Sequence, residues 1–148
     1  MKHATAVRIE WTIDDVEEKI DAEESVLSEF FFVAAPNGSK YKMHLKARFG
    51  RITERSLGLF LTHHESSTYC NQLPIDISGT RLTLKHRYNS RLDITKTLTD
   101  CIINESGTAE GEEMFCDLDA DEFEDYLTDD EINLLAEVRI NNTIVLQF

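Results

Sequence analysis

A few places in this chain hold side chains that could do chemistry. Asp117, Asp119 and Asp121 alternate in the way the first ligands of a calcium loop do. Counted from Asp117, such a loop needs Gly at its sixth position for the sharp turn and a bidentate Glu at its twelfth. Those positions hold Glu122 and Thr128, so both the turn and the closing ligand are missing, and the segment reads as a solvated acidic helix or loop. His63-His64-Glu65 has metal-capable side chains without the helical i, i+4 pairing that would aim two of them at one ion. Ser66, Ser67 and Ser78 have no nucleophile elbow around them, the cysteines have no neighbouring histidine, and no glycine loop is built to cradle phosphate. These readings point away from catalysis, cofactors and resident metals.

Phe60 offers a different chemistry, that of recognition. Leu57, Leu59 and Leu61 repeat with a period of two, which is a strand with one face on a core. Phe60 is out of phase with them and belongs to the opposite face, where an aromatic ring can meet a partner. Trp11, by contrast, is in phase with Val7, Ile9 and Ile13 and reads as core.

The elements that would position these residues are short strands. Val7–Ile13 alternates with polar residues, and residues 14–24 form an acidic loop or helical turn. Phe30-Phe31-Phe32-Val33 is a second strand. Pro36-Asn37-Gly38-Ser39 then gives a hairpin, since Asn-Gly tolerates positive φ. Tyr41, Met43, Leu45 and Ala47 return from it, and a basic turn at 50–55 leads to Leu57–Leu61. A polar loop from His63 to Asn71 follows. Two short strands, Ile75/Ile77 and Leu82/Leu84, flank Ser78-Gly79, and Cys101-Ile102-Ile103 is a brief apolar run. Tyr126-Leu127-Thr128-Asp129-Asp130 reads as a turn whose short carboxylates accept backbone N–H groups. It leads into Ile132, Leu134, Ala136, Val138 and Ile140, a cleanly alternating strand. Phe123, Tyr126 and Leu127 are spaced to lay one side of a short helix on the sheets. The pattern predicts an all-β fold, an antiparallel sandwich of seven to eight strands, with a short helix or acidic loop before the last one.

A chain of 148 residues is long enough for one domain with its own core. The net charge is −13, and its origin is local. Residues 105–131 hold thirteen acidic side chains and no Lys, Arg or His, while the remainder carries fifteen of each sign. Nucleic acid is therefore not an expected partner, because phosphate contacts need a basic face. Three widely spaced cysteines, Cys70, Cys101 and Cys116, suit free thiols in a reducing compartment. No apolar run approaches the ~20 residues of a membrane span, and the expected location is cytoplasmic or nuclear.

The order and spacing of several short motifs resemble the MATH (meprin and TRAF-C homology) family. They are Trp11-Thr12-Ile13-Asp14-Asp15-Val16, Leu27-Ser28-Glu29-Phe30, Tyr41-Lys42-Met43-His44-Leu45, Leu57-Gly58-Leu59-Phe60-Leu61, Tyr126-Leu127-Thr128-Asp129-Asp130-Glu131-Ile132 and Ala136-Glu137-Val138-Arg139-Ile140. The resemblance implies a TRAF-like sandwich over residues 6–141, with 142–148 as an extra edge strand or the start of a linker. It also implies a module that binds short extended peptide segments of partner proteins. The opening and closing motifs feel closest to BTB-linked substrate adaptors of cullin-RING ubiquitin ligases, whose ligase machinery would be met through a neighbouring domain. The targeting domain of a deubiquitinating protease and a TRAF-type receptor adaptor are the alternatives. Carried over, the family's groove falls on Phe60, on Phe115, and on Glu113 and Met114 where the family has Trp and Gly. A further groove aromatic falls at Cys101. A thin aromatic floor with an acidic rim would favour basic or hydroxyl-bearing peptides.

Overall fold

The computed structural model describes residues 6–51 and 55–141. The described residues form eleven strands and a short helix: β1 (Val7–Ile13), α1 (Val16–Asp21), β2 (Ser25–Leu27), β3 (Phe31–Ala34), β4 (Lys40–Arg51), β5 (Arg55–His63), β6 (Ile75–Asp76), β7 (Arg81–Leu84), β8 (Ile94–Thr97), β9 (Ile102–Ile103), β10 (Ala109–Asp117) and β11 (Ile132–Val138). Single 3-10 segments lie at Ser90–Leu92 and Asp121–Tyr126. Two antiparallel sheets carry the molecule. One has the order β1-β11-β7-β8; the other runs β10-β5-β4, with β2 and β3 both hydrogen-bonded to β4. β6 and β9 make a small third pair.

The period of two decides what faces what. On β4, Tyr41, Met43, Leu45, Ala47 and Phe49 are buried, and on β5 so are Leu57, Leu59 and Leu61. Their partners in the other sheet are Ile13, Leu82, Leu84, Ile132, Leu134, Ala136 and Val138. Trp11 is half-buried against this cluster rather than fully inside it. Ser28 splices β2 and β3 onto one strand. Its N–H donates to Leu45 O at 2.9 Å, and its hydroxyl accepts the Leu45 N–H at 2.8 Å, so the break leaves that amide paired.

The turn into β11 is tied to α1. Asp129 and Asp130 both have positive φ, 51° and 62°, which with reciprocal Thr128–Glu131 backbone bonds of 2.9 Å makes a two-residue turn of the primed type. Short Asp side chains tolerate that region better than most. Asp130 then accepts from α1, the Val16 N–H at its carbonyl (3.0 Å) and the Glu17 N–H at its carboxylate (2.9 Å). The carboxylate role expected of this turn is therefore exercised on a helix more than a hundred residues away in sequence.

Several expectations change. The acidic stretch is not simply a loop or helix: its first part is β10, a nine-residue strand. Glu and Asp have low strand propensity, but pairing with β5 overrides it. The short helix expected around Phe123 and Tyr126 is a 3-10 segment that buries both rings. The strands flanking Ser78-Gly79 exist but do not pair with each other; β6 pairs β9 and β7 lies between β11 and β8. β2 and β8 were not legible at three and four residues. The proposed tail at 142–148 lies outside the described residues.

Phe115 requires a correction of its own. Between Glu112 and Cys116 the register of β10 shifts, with four residue steps opposing the two from Leu59 to Leu57. Such a bulge re-aims side chains, and Phe115 ends at 1% exposure within the core cluster. Phe115→Ala should therefore cost about 3–5 kcal/mol of stability. Urea unfolding measures it, and a loss below about 1 kcal/mol would contradict the core placement.

His63 ends β5 on its inner face and is fully buried. Its Nδ1 lies 2.7 Å from Ser106 Oγ, and its Nε2 lies 3.2 Å from Cys70 O. Burial lowers its pKa below the ordinary value of 6.5. A group whose folded pKa is depressed contributes stability that is full above the unfolded pKa and is lost as pH falls toward the folded one. The melting temperature should hold above about pH 7 and decline from about pH 6.5 downward. His63→Gln should flatten that decline in part, since His44 is shifted in the same direction by burial and by neighbouring His64 and Lys46. An unchanged slope in a pH series of melts would rule the His63 contribution out.

Candidate functional site

β10 is an edge strand: among the described strands it pairs only with β5. Its first half, Ala109 to Glu112, runs in regular register against Thr62 to Leu59. Two glycines let the strands approach so closely here. A Cβ on Gly111 would lie 2.2 Å from Leu59 O, and one on Gly58 would lie 2.7 Å from the Phe60 ring. The Phe60 ring thus lies over Gly58, with the Arg48 guanidinium above it at 5.1 Å from the centroid. Phe60 does occupy the outer face, opposite Gly111, as its phase predicted. Yet it is only 5% exposed, because glycine beneath and arginine above enclose it.

The other residues assigned to a groove separate into two groups. Glu113 is exposed, and Met114 is 47% exposed; both ride on the bulge. Phe115 lies beneath them in the core. The ammonium of Lys96, on β8, donates to Met114 O at 2.9 Å and sits 5.6 Å from the Phe115 ring centroid. It bridges the mouth between β8 and β10, the edge strands of the two sheets. The Cys116 thiol is pushed up to about 12, mainly by burial.

Cys101 lies at the start of β9, half-buried, its N–H donating to Ser78 Oγ at 2.9 Å. Burial raises its thiol pKa, and the carboxylates of Glu110, Asp76 and Glu112 add to the rise. Cys101 and the first half of β10 therefore share one acidic corner at the mouth of the sandwich. The expected acidic rim exists on this side. On the outer face the Phe60 ring meets positive charge as well, with Arg48 over it and Lys46, its register partner on β4, beside it.

The residues first weighed for chemistry are engaged in structure. Asp119 accepts from Arg55 at 3.0 and 2.7 Å, and Asp117 accepts the Asp119 N–H at 2.8 Å. Among the described residues no three His, Cys, Asp or Glu side chains converge as a metal set. The His63–Ser106 pair was not foreseen, because forty-three positions separate its members. It has no carboxylate behind the imidazole; a backbone carbonyl takes that place. The sequence also missed a cleft of about 480 Å³ between β1 and residues 27–31, walled by Trp11, Leu27 and Phe30.

No helix among the described residues is long and apolar enough to cross a membrane. No protein-family model matches the chain, and no curated protein matches it. Among solved structures, TRAF5 of Notothenia coriiceps superposes with a TM-score of 0.65 at 17% identity, covering 95% of this chain and 75% of that one. At that identity the likeness is one of fold, and the fold is the antiparallel TRAF-like β-sandwich.

Proposed function

We propose that this chain is a protein-interaction module, not a catalyst, and that extended segments of partner proteins add to it along β10. The observation that carries this reading is the regular edge from Ala109 to Glu112, which among the described strands pairs on one side only, with β5. An open edge is normally blunted by bulges, lysines or a covering element. Here the bulge begins only after Glu112, which leaves the first half free to template a strand. Backbone bonds supply affinity in strand addition, and alternate side chains supply specificity. Alternate residues of the guest would point either to the Arg48–Phe60 side or to the Cys101 corner, where Glu110 and Glu112 favour a cationic or hydroxyl-bearing side chain. Affinities in the micromolar range, about −8 kcal/mol, suit such a contact.

The resemblance in the opening Trp11-Thr12-Ile13 and the closing Leu127-Thr128-Asp129-Asp130-Glu131-Ile132 supports a finer reading, that the guest segments are substrates and the chain is the recognition part of a BTB-type cullin-RING ligase adaptor. Fusing the chain to a BTB domain and measuring ubiquitin transfer to a protein bearing a selected peptide tests that step. Transfer no greater than with the BTB domain alone would end it.

The binding mode itself is tested by panning a random peptide library against the chain and following hydrogen exchange with a selected peptide. Amides from Ala109 to Met114 should gain protection. Methylating the peptide's backbone nitrogens at alternate positions should weaken binding at least tenfold. Protection confined to other strands, or indifference to methylation, would refute strand addition at β10.

A further inference from the structure

We propose that β1 is a self-association edge: two copies of this chain pair antiparallel along it, about a two-fold axis through Ile9, with Arg8 of each copy opposite Glu10 of the other. Among the described strands β1 pairs only with β11, in unbroken register from Val7–Val138 to Ile13–Ile132. Its other side has none of the devices that usually keep an open edge from pairing, which are extreme shortness, a bulge, proline or lysine. The remaining edges each carry one. β8 has four residues, Lys96 among them. β10 is regular only from Ala109 to Glu112 before its bulge. β2 and β3 divide their edge into pieces of three and four residues.

The mouth beside β1 is apolar and open. Val7, Ile9 and Trp11 are in phase with the core yet only half-buried. Leu27 and Phe30 share the cleft of about 480 Å³ with Ile9 and Trp11, and they are 56% and 46% exposed. Half-covered core residues facing exposed apolar side chains mark a contact surface. A strand added at β1 continues the sheet, and its own inward side chains cover this mouth.

Charge says which chain fits. Arg8 and Glu10 are the charged residues of β1, and both are exposed on its outward phase. A two-fold axis perpendicular to the sheet pairs outward residues with outward ones, so it must pass through a residue. An axis through Ile9 sets Arg8 opposite Glu10 twice, Val7 opposite Trp11 twice, and Ile9 opposite its own copy. Through Arg8 or Glu10 it would set like charges face to face, which destabilises the pair. Through Trp11 it would leave Glu10 opposite Thr12. Directly opposed side chains have Cβ atoms about 4.5–5.5 Å apart, closer than the ~6.6–6.8 Å between alternate residues of one strand. Within one chain Arg8 and Glu10 meet only at 3.8 Å, and each gains a nearer partner across the axis. A closed two-fold pair is also the commonest form of homo-oligomer. The β10 edge lies at the other mouth of the sandwich, where Lys96 of β8 meets Met114. The dimer therefore leaves it open, and stands or falls apart from strand addition there.

Sedimentation velocity over a concentration series is the test. Wild type should pass from monomer to dimer and stop there. Arg8→Glu and Glu10→Arg should each raise the dimer dissociation constant at least tenfold, because each sets like charges opposite one another twice. Mixed in equal amounts, these two variants should associate again as a heterodimer, and Arg8→Glu/Glu10→Arg should dimerise on its own. Melting curves confirm that each variant is folded, and the exposed positions make that the expected result. The proposal is overturned if wild type stays monomeric throughout the series, if both single variants dimerise as wild type does, or if neither the mixture nor the double variant regains association. Oligomers that grow beyond two copies would overturn it in favour of a head-to-tail contact. A wild-type monomer that dimerises only after residues 142–148 are removed would overturn it in favour of the chain's own terminal segment on β1. Selected library peptides should protect β10 in the dimer and in the monomeric variants alike. Loss of the dimer when those peptides are added would place both contacts on one edge and overturn it.

Discussion

Everything in this molecule depends on how the β4–β5 hairpin buries one of its faces. Nine cross-strand pairs, from Met43–His63 to Arg51–Arg55, hold its two strands in one register. In that register every odd-numbered apolar residue of β4 lies against the opposite sheet. A slip of one residue would put lysines into the core, at a cost far beyond the few kcal/mol by which domains are stable. The register is thus determined by solvation, and it determines in turn what the outer face displays.

The consequence is a separation of charge that net composition conceals. The chain is strongly acidic, yet thirteen of its 28 carboxylates lie within residues 105–131, mostly on β10, on the segment after it and on the turn before β11, while the charged residues on the outer phase of β4 are all Lys or Arg. One sheet thus has an acidic edge and a basic opposite flank, with the buried Phe60 between them under Arg48. This arrangement favours discrimination over raw affinity, since exposed charges act mainly on orientation and on rejecting wrong partners.

The small polar anchors do a different job. The Ser28 hydroxyl, the Asp130 carboxylate and the His63 imidazole each satisfy backbone or side-chain groups where a strand breaks, a helix begins or a loop closes. None of them adds much individually, because a hydrogen bond made in the fold replaces one made with water. Their value lies in removing the penalty of leaving such groups unpaired, which would otherwise fall at the irregular points of the sandwich.

The sequence by itself determined the fold class, the hairpin at Asn37-Gly38, the inward phases of β4, β5 and β11, and the outward phase of Phe60. These rest on local alternation, which any antiparallel sheet with one buried face must show. It determined the turn at Asp129-Asp130 because short carboxylates there can accept backbone N–H groups. Only the tertiary structure decided that the first part of the acidic block is an edge strand, since that strand comes from pairing with β5 against its own propensity. Only the bulge after Glu112 sent Phe115 inward, and a bulge leaves no mark in composition. The meeting of Cys101 with Glu110, of His63 with Ser106, and of Phe30 with His44 and His64 likewise waited on the fold. Alternation says which side of a sheet a residue faces, but what stands beside it is set by strands far away in the chain.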